Sequence, residues 1–269
     1  MSELKYSSDK YIVFDEGPHT YSDPEGNLYT STTQISGKYF EPFDKKGIAK
    51  KKANYQKMLN SRKYKQGIDL TDLEKKMATQ KYWIAEWTEA ANHGTRCHNA
   101  LENYVNGKED VSGLTEERDH DKYRQGVAFM EWFFTDHFKT KDIKFETEVI
   151  IYNKEHMLAG QIDLVAHVDG TTYLLDWKSS KKIAMEGYKG KKGTHPITKD
   201  LHSCEYVKYS IQLGIYKRMK ELAGEPIGEC YIIHLMEDSF QTYEAREMSV
   251  VIDAIFAERL SEIESYIKE

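Results

Sequence analysis

Asp169-Gly170 stands between two runs of strand-forming residues, Leu158–Val168 and Thr171–Trp177, and constrains the chain more tightly than any other local feature. A two-residue Asp-Gly loop selects a type I′ turn, whose positive backbone angles match the twist of the flanking strands. With only those two residues in the loop, Val168 faces Thr171, and every further pair follows. Asp163 then falls opposite Asp176, on one face, with Cβ atoms about 5 Å apart. Lys178 shares that face because side chains alternate along a strand. Like charges opposed across a ladder destabilise it, and Ile162, Leu164, Leu174 and Leu175 surround these two with apolar neighbours. A divalent cation held by both carboxylates would compensate; Mg²⁺ and Mn²⁺ are the hard, oxygen-seeking candidates. Lys178 would stand beside it, placed to orient or deprotonate a water or to neutralise charge developing on a phosphoryl group. The competing reading is a surface hairpin carrying ordinary outer-face charges, which the register and the apolar flanks oppose.

The rest of the chain gives this hairpin a setting. The length, 269 residues, suits one large domain, with residues 1–65 as an N-terminal extension, 82–246 as the core and 249–269 as a closing helix. Short strand-like runs from Tyr11 to Thr30, broken by Gly17-Pro18 and Asp23-Pro24-Glu25-Gly26, predict a small meander. Ser31-Thr32-Thr33-Gln34 fits a capping box opening a short helix, and Lys45–Arg62 reads as a basic helix. Apolar periodicity predicts helices over Tyr82–Asn106, from about Thr115 to Phe138, over Tyr206–Leu222 and at the end of the chain. Ile143–Tyr152, Gly228–Met236 and Gln241–Arg246 read as further strands. No apolar run approaches the roughly 18 residues a membrane span needs, and the first residues lack the apolar stretch of a secretory signal. The expectation is therefore an intracellular, cytoplasmic protein with no membrane partner. Cys97, Cys204 and Cys230 are widely spaced, without a CxxC pair, which argues against a disulfide framework, a zinc knuckle or a four-cysteine iron–sulfur cluster.

A net charge of −6 weighs against bulk coating of nucleic acid, yet the charge is unevenly distributed. Between Lys178 and Lys199 the chain carries +6, leaving −12 elsewhere. That loop begins where the second strand of the hairpin ends, so Lys181, Lys182, Lys189, Lys191 and Lys192 are placed to track phosphates. Tyr188 among them, with Gly187, Gly190 and Gly193, offers a stacking ring on a flexible segment, suited to single-stranded or frayed ends. A solvated loop kept soluble by its lysines is the alternative. Lys45, Lys46, Lys50, Lys51, Lys52 and Lys57 form a second basic cluster of similar ambiguity, and Arg96 is placed to grip a phosphate near His98.

Gly160-x-x-Asp163, twelve residues, then Asp176-x-Lys178 resembles the core motif of the PD-(D/E)XK nuclease superfamily. Two further motifs occur in the order found in its RecB-type exonuclease branch. Gly94-Thr95-Arg96-Cys97-His98-Asn99-Ala100-Leu101-Glu102 resembles that branch's GxxxHxxxE helix motif, and Gln212-Leu213-Gly214-Ile215-Tyr216 resembles its QxxxY motif. The resemblance covers about Trp83 to Met236, and the N-terminal meander is similar to the leader of phage-type and mitochondrial genome maintenance exonucleases. It implies that His98, Asp163, Asp176 and the Trp177 backbone carbonyl ligate Mg²⁺ or Mn²⁺. It implies, too, that Lys178 is the catalytic lysine and that Gln212 and Tyr216 support the site or touch the substrate strand. The cysteine pattern points to the branch without an iron–sulfur cluster. The residues agree in part on their own: His98 and Glu102 are one helical turn apart, as are Gln212 and Tyr216, so each pair can face one pocket. Glu148, on the preceding strand, either contacts a second metal or a water or lies on a solvated face.

The expected fold is a restriction-endonuclease-like α/β domain, a mixed central sheet flanked by helices with an N-terminal β/α extension. The expected activity is metal-dependent hydrolysis of DNA phosphodiester bonds, as an exonuclease on ends or single strands, in replication, recombination or repair. The end preference leans on the resemblance. The alternatives are a non-catalytic nucleic-acid-binding member of the fold and a metal-dependent phosphoesterase on a small substrate.

Overall fold

The structure is a computed structural model and describes residues 4–139 and 142–267, leaving aside the side chains of Phe134 and Ile267. The last two residues of the expected closing helix, and the first three of the expected N-terminal extension, lie outside the described residues. In chain order the elements are strands β1 (Leu4–Tyr6), β2 (Val13–Asp15), β3 (Thr20–Ser22) and β4 (Leu28–Ser31), then helices α1 (Thr32–Lys38), α2 (Lys45–Lys65), α3 (Asp72–Met77), α4 (Gln80–Val105) and α5 (Glu117–Trp132). Strands β5 (Ile143–Asn153), β6 (Leu158–Val168) and β7 (Thr171–Lys178) follow, then α6 (Glu205–Leu222), β8 (Ile227–Leu235), β9 (Phe240–Glu244) and α7 (Ser249–Ile267). They group into two compact units, Met1–Glu41 with Cys97–Glu269 and Pro42–Arg96, divided within α4.

The larger unit is a mixed α/β layer structure built on one sheet, consistent with a restriction-endonuclease-like fold. Asp169 and Gly170 take φ of 49° and 79°, as a type I′ turn requires, and β6 and β7 pair from Val168↔Thr171 to Leu164↔Leu175 in the predicted register. The ladder stops there, one pair short of Asp163 and Asp176. On its other edge β6 pairs along its length with β5, from Ile143↔Val168 to Asn153↔Leu158. Strand β4 joins β6 in parallel at Leu158 and Ala159, so β4 and β7 share one edge of β6. Between them residues 160–163 have no strand partner on that edge. The sheet continues through β8, parallel to β7, and β9, antiparallel to β8.

One cluster of buried residues joins α1, α6 and α7 to the sheet through Ile35, Ile211, Ile215, Ile252 and Phe256 against Ile162, Leu174 and Ile232. Another joins Leu101 of α4 and Phe129 and Met130 of α5 to Leu164, Leu175 and Ile233. Alternation along β6 therefore reverses between Ile162 and Leu164, at Asp163. Along β5 it reverses between Phe145 and Val149, which pack on the second and the first cluster respectively. Glu148 lies between them, with φ of 50°. The predicted capping box is present: the Gln34 N–H donates to Ser31 Oγ (3.1 Å) and the Ser31 N–H to Gln34 Oε1 (3.0 Å).

Two expectations need correction. Helix α5 ends at Trp132, and Phe133–His137 widen into a π turn that sinks Phe133 into the α5 cluster; an aromatic-rich run favours ring packing over an unbroken helix. The lysine loop is also less free than its glycines suggested. A Cβ on Gly187 would meet Lys191 O at 1.9 Å, and one on Gly193 would meet Thr198 Oγ1 at 2.2 Å. These glycines permit close packing, sealed by Ser203 N–H to Lys191 O (2.9 Å) and Gly193 N–H to Leu201 O (3.0 Å).

The smaller unit consists of α2, α3 and the first part of α4. Its inward α2 stripe is Ala49, Ala53, Gln56 and Asn60, small and polar, tied to α3 by Asn60 Nδ2 donating to the Glu74 carbonyl (3.0 Å). Helix α3, capped by Thr71 with Glu74, had no apolar stripe to announce it.

Candidate active site

The break in the ladder creates the site. Where the next backbone pair would form, the Trp177 N–H instead donates to Asp163 Oδ2 at 2.9 Å. Asp163 thus turns its carboxylate along the open edge of β6, toward the end of β7. His98, in the C-terminal part of α4 that belongs to the larger unit, places Nδ1 3.6 Å from the same oxygen. Asp176, almost fully buried, forms an ion pair through Oδ2 with Lys178 Nζ at 2.5 Å. Tyr209 of α6 presents its ring face 4.7 Å from the Lys178 ammonium, a cation–π contact that steadies a charge with few other partners.

These groups titrate abnormally for identifiable reasons. Burial raises Asp176 to about 6, with Lys178 opposing and Asp163 reinforcing, and burial raises Asp163 against Lys178 and the Trp177 N–H. Burial also works against the Lys178 charge, but Asp176 and Asp163 outweigh it and hold the ammonium above its ordinary range. His98 is pushed down to about 4 by burial and then by Lys178. A neutral imidazole beside two carboxylates that resist ionising is a donor set that a divalent cation would complete. The residues present therefore fit a divalent cation.

The supporting residues fall around this centre. Tyr216 is buried and accepts hydrogen bonds at its hydroxyl from Thr32 Oγ1 (2.9 Å) and Gln212 Nε2 (3.2 Å). Its ring explains the glycine of the Gly-x-x-Asp motif. A Cβ on Gly160 would sit 2.5 Å from Tyr216 Cε1 and 2.8 Å from Thr32 Oγ1. Glu148 falls opposite Asp163 by the β5–β6 register, though the pair is missing from the ladder. Burial, then the Asp163 charge, pushes it up to about 8. Glu102 adds a weaker repulsion there.

The substrate-facing candidates differ in how free their side chains are. Tyr188 is 75% exposed and Lys189 stacks over its ring, while Lys181 and Lys182 are exposed. Lys191 is paired with Glu41 at 2.5 Å, and the backbone of Lys192 bridges that of His202. Arg96 belongs to the smaller unit and pairs with Glu89 at 2.8 Å. Several contributors escaped sequence reasoning. Tyr209 was legible in principle, one turn before Gln212 on the same helix face. Buried Lys122 of α5 donates to the Ser179 carbonyl, and His234 of β8 places Nε2 2.7 Å from the Ser180 carbonyl. Together they fix the chain where it leaves β7; nothing in their spacing marked them.

No family model matches the chain, and no curated protein matches it. Among solved structures it is similar to that of a candidate exonuclease from Eubacterium rectale, at 12% identity and a TM-score of 0.40, over 65% of this chain and 66% of that one. It is similar also to the structure of SSO0001, at 15% identity and a TM-score of 0.26, over 51% and 55% respectively. Among the described residues no helix is long and apolar enough to cross a membrane.

Proposed function

We propose that this protein is a metal-dependent deoxyribonuclease, acting as an exonuclease on DNA ends or single strands. The observation that carries the reading is the convergence of His98, Asp163 and Asp176 with Lys178, which sets an imidazole nitrogen 3.6 Å from one carboxylate and an ammonium 2.5 Å from the other. His98 Nδ1, Asp163 and Asp176 would hold Mg²⁺ or Mn²⁺, with the Trp177 carbonyl as a further ligand. The ion would polarise a phosphodiester and acidify a bound water. Lys178, held protonated by its two carboxylate neighbours, is a donor in this arrangement. It orients the attacking water and offers positive charge to the phosphoryl oxygens as charge builds. Tyr209 keeps that ammonium in place, and the Tyr216–Thr32–Gln212 network braces the strand carrying Asp163.

Two segments suit a polyanionic chain. The loop after β7 exposes Lys181, Lys182 and Tyr188. The smaller unit carries thirteen Lys and Arg against six Asp and Glu, a charge of +7. It exposes Phe43, Tyr55 and Tyr64 to more than half of their surface. Cationic side chains interleaved with bare rings are the means by which proteins grip single strands without reading sequence.

DNA cleavage assayed with Mg²⁺ and with Mn²⁺ tests the reading: the parent cleaves labelled single-stranded and blunt DNA, and Lys178→Ala loses on the order of 10²-fold or more in rate. Absence of cleavage by both proteins on every DNA form would overturn it.

A further inference from the structure

A second ammonium reaches Glu148, from a strand no motif includes. Lys5 of β1 places Nζ 2.9 Å from Glu16 Oε1 and 3.8 Å from Glu148 Oε2, and its side chain is three-quarters buried. Pairing of Lys5 with Phe14 in the β1–β2 ladder fixes its backbone. Glu148 lies opposite Asp163 and is delivered there by a left-handed backbone inside an eleven-residue strand. A non-glycine residue in that conformation costs on the order of 1–3 kcal/mol and persists where the surroundings over-determine it. The strain brings a further negative charge toward Asp163, an arrangement that repels itself unless a cation attends it. In this protein the attending cation is a side chain.

We propose that Lys5 is a built-in counter-cation that occupies the Glu148 side of the site and limits the protein to one divalent ion per chain. The inference rests on the reading that His98, Asp163 and Asp176 hold such an ion. A second ion coordinated by Glu148 and Asp163 would have to displace an ammonium covalently tethered within 4 Å of Glu148, and a tethered group competes at a local concentration that free ions do not match. Lys5 is then a positioning residue: it acts through Glu148 and touches neither phosphate nor water in the reaction.

Titration of metal-free protein with Mn²⁺, followed by the electron paramagnetic resonance signal of the free ion, counts the sites without reference to activity. Wild type is expected to bind one Mn²⁺ per chain. Lys5→Met is expected to bind two, the second at least tenfold more tightly than any second binding by wild type. Lys5→Arg is expected to stay at one, and Lys5→Met/Glu148→Gln to return to one. Far-ultraviolet circular dichroism verifies folding, and Lys5→Gln replaces Lys5→Met if the latter does not fold. A count of two for wild type overturns the inference while leaving the metal site standing. A count of one for wild type and for folded Lys5→Met overturns the inference alone. No tight Mn²⁺ binding by wild type removes both.

Discussion

Burial and the Asp163 charge push Glu148 up to about 8, whereas the same side chain in an unfolded chain titrates near 4.5. A carboxylic acid with a raised folded pKa contributes stability at low pH and loses it as pH climbs toward the folded value. Two neighbours narrow the window in which this can be seen. Asp176, raised to about 6, has finished most of its change above that pH, and His98, lowered from 6.5 to about 4, affects stability only below its unfolded value. Between pH 6.5 and 8 the metal-free protein is therefore expected to lose thermal stability, and Glu148→Gln to flatten that slope, as differential scanning fluorimetry in chelator would record. An unchanged slope would place the Glu148 carboxyl in water. Gly160 offers a steric counterpart. Gly160→Ala forces a methyl into the Tyr216 ring and the Thr32 hydroxyl, and overpacking of this kind costs about 1–3 kcal/mol, readable by urea denaturation. The glycine was visible in the sequence beside Asp163. Its reason was not, because both obstructing groups lie far along the chain.

The elements show why some of the structure was legible and some was not. The β6–β7 hairpin, its turn and its register followed from Asp169-Gly170 and the strand pattern, since adjacent strands need only local chemistry. The ladder stops at Leu164↔Leu175, and β4, more than a hundred residues away, takes the same edge of β6 at Leu158 and Ala159; no local pattern encodes either. Likewise His98, Asp163, Asp176 and Lys178 stood out as residue types at telling spacings, whereas Tyr209, Lys122, His234 and Lys5 act through contacts between elements. The close packing of Gly187 and Gly193 in the lysine loop is hidden for a related reason, because glycine permits both freedom and close approach and sequence does not distinguish them. Gly187→Ala should decide the matter at this scale. Its Cβ would collide with the Lys191 carbonyl, so amide hydrogen exchange is expected to accelerate across 187–203 while β6 and β7 keep wild-type protection. Uniform protection in the variant would show that the loop absorbs a methyl without opening.

Across the whole molecule, charge is partitioned by unit: +7 in residues 42–96 and −13 in the remainder. The net value of −6 therefore describes neither part. Neutralising Lys50, Lys51 and Lys57, all exposed on α2, to glutamine is expected to weaken binding of a single-stranded oligonucleotide. If each meets a phosphate, the slope of log affinity against log salt should shrink by about 0.7 per residue, measured by fluorescence anisotropy. An unaltered slope would remove α2 from the substrate path. Lys52, packed 4.2 Å over Trp83, is better left in place as part of the fold. The four-residue gap on β6 has a consequence for dissecting the protein. Its two sides are supplied by β4 and β7, so any fragment lacking residues 28–31 would bare a longer stretch of unpaired sheet edge beside the carboxylates. Such a truncation should be sticky as well as inactive, and its failure to cleave DNA would say nothing about which residues perform the chemistry.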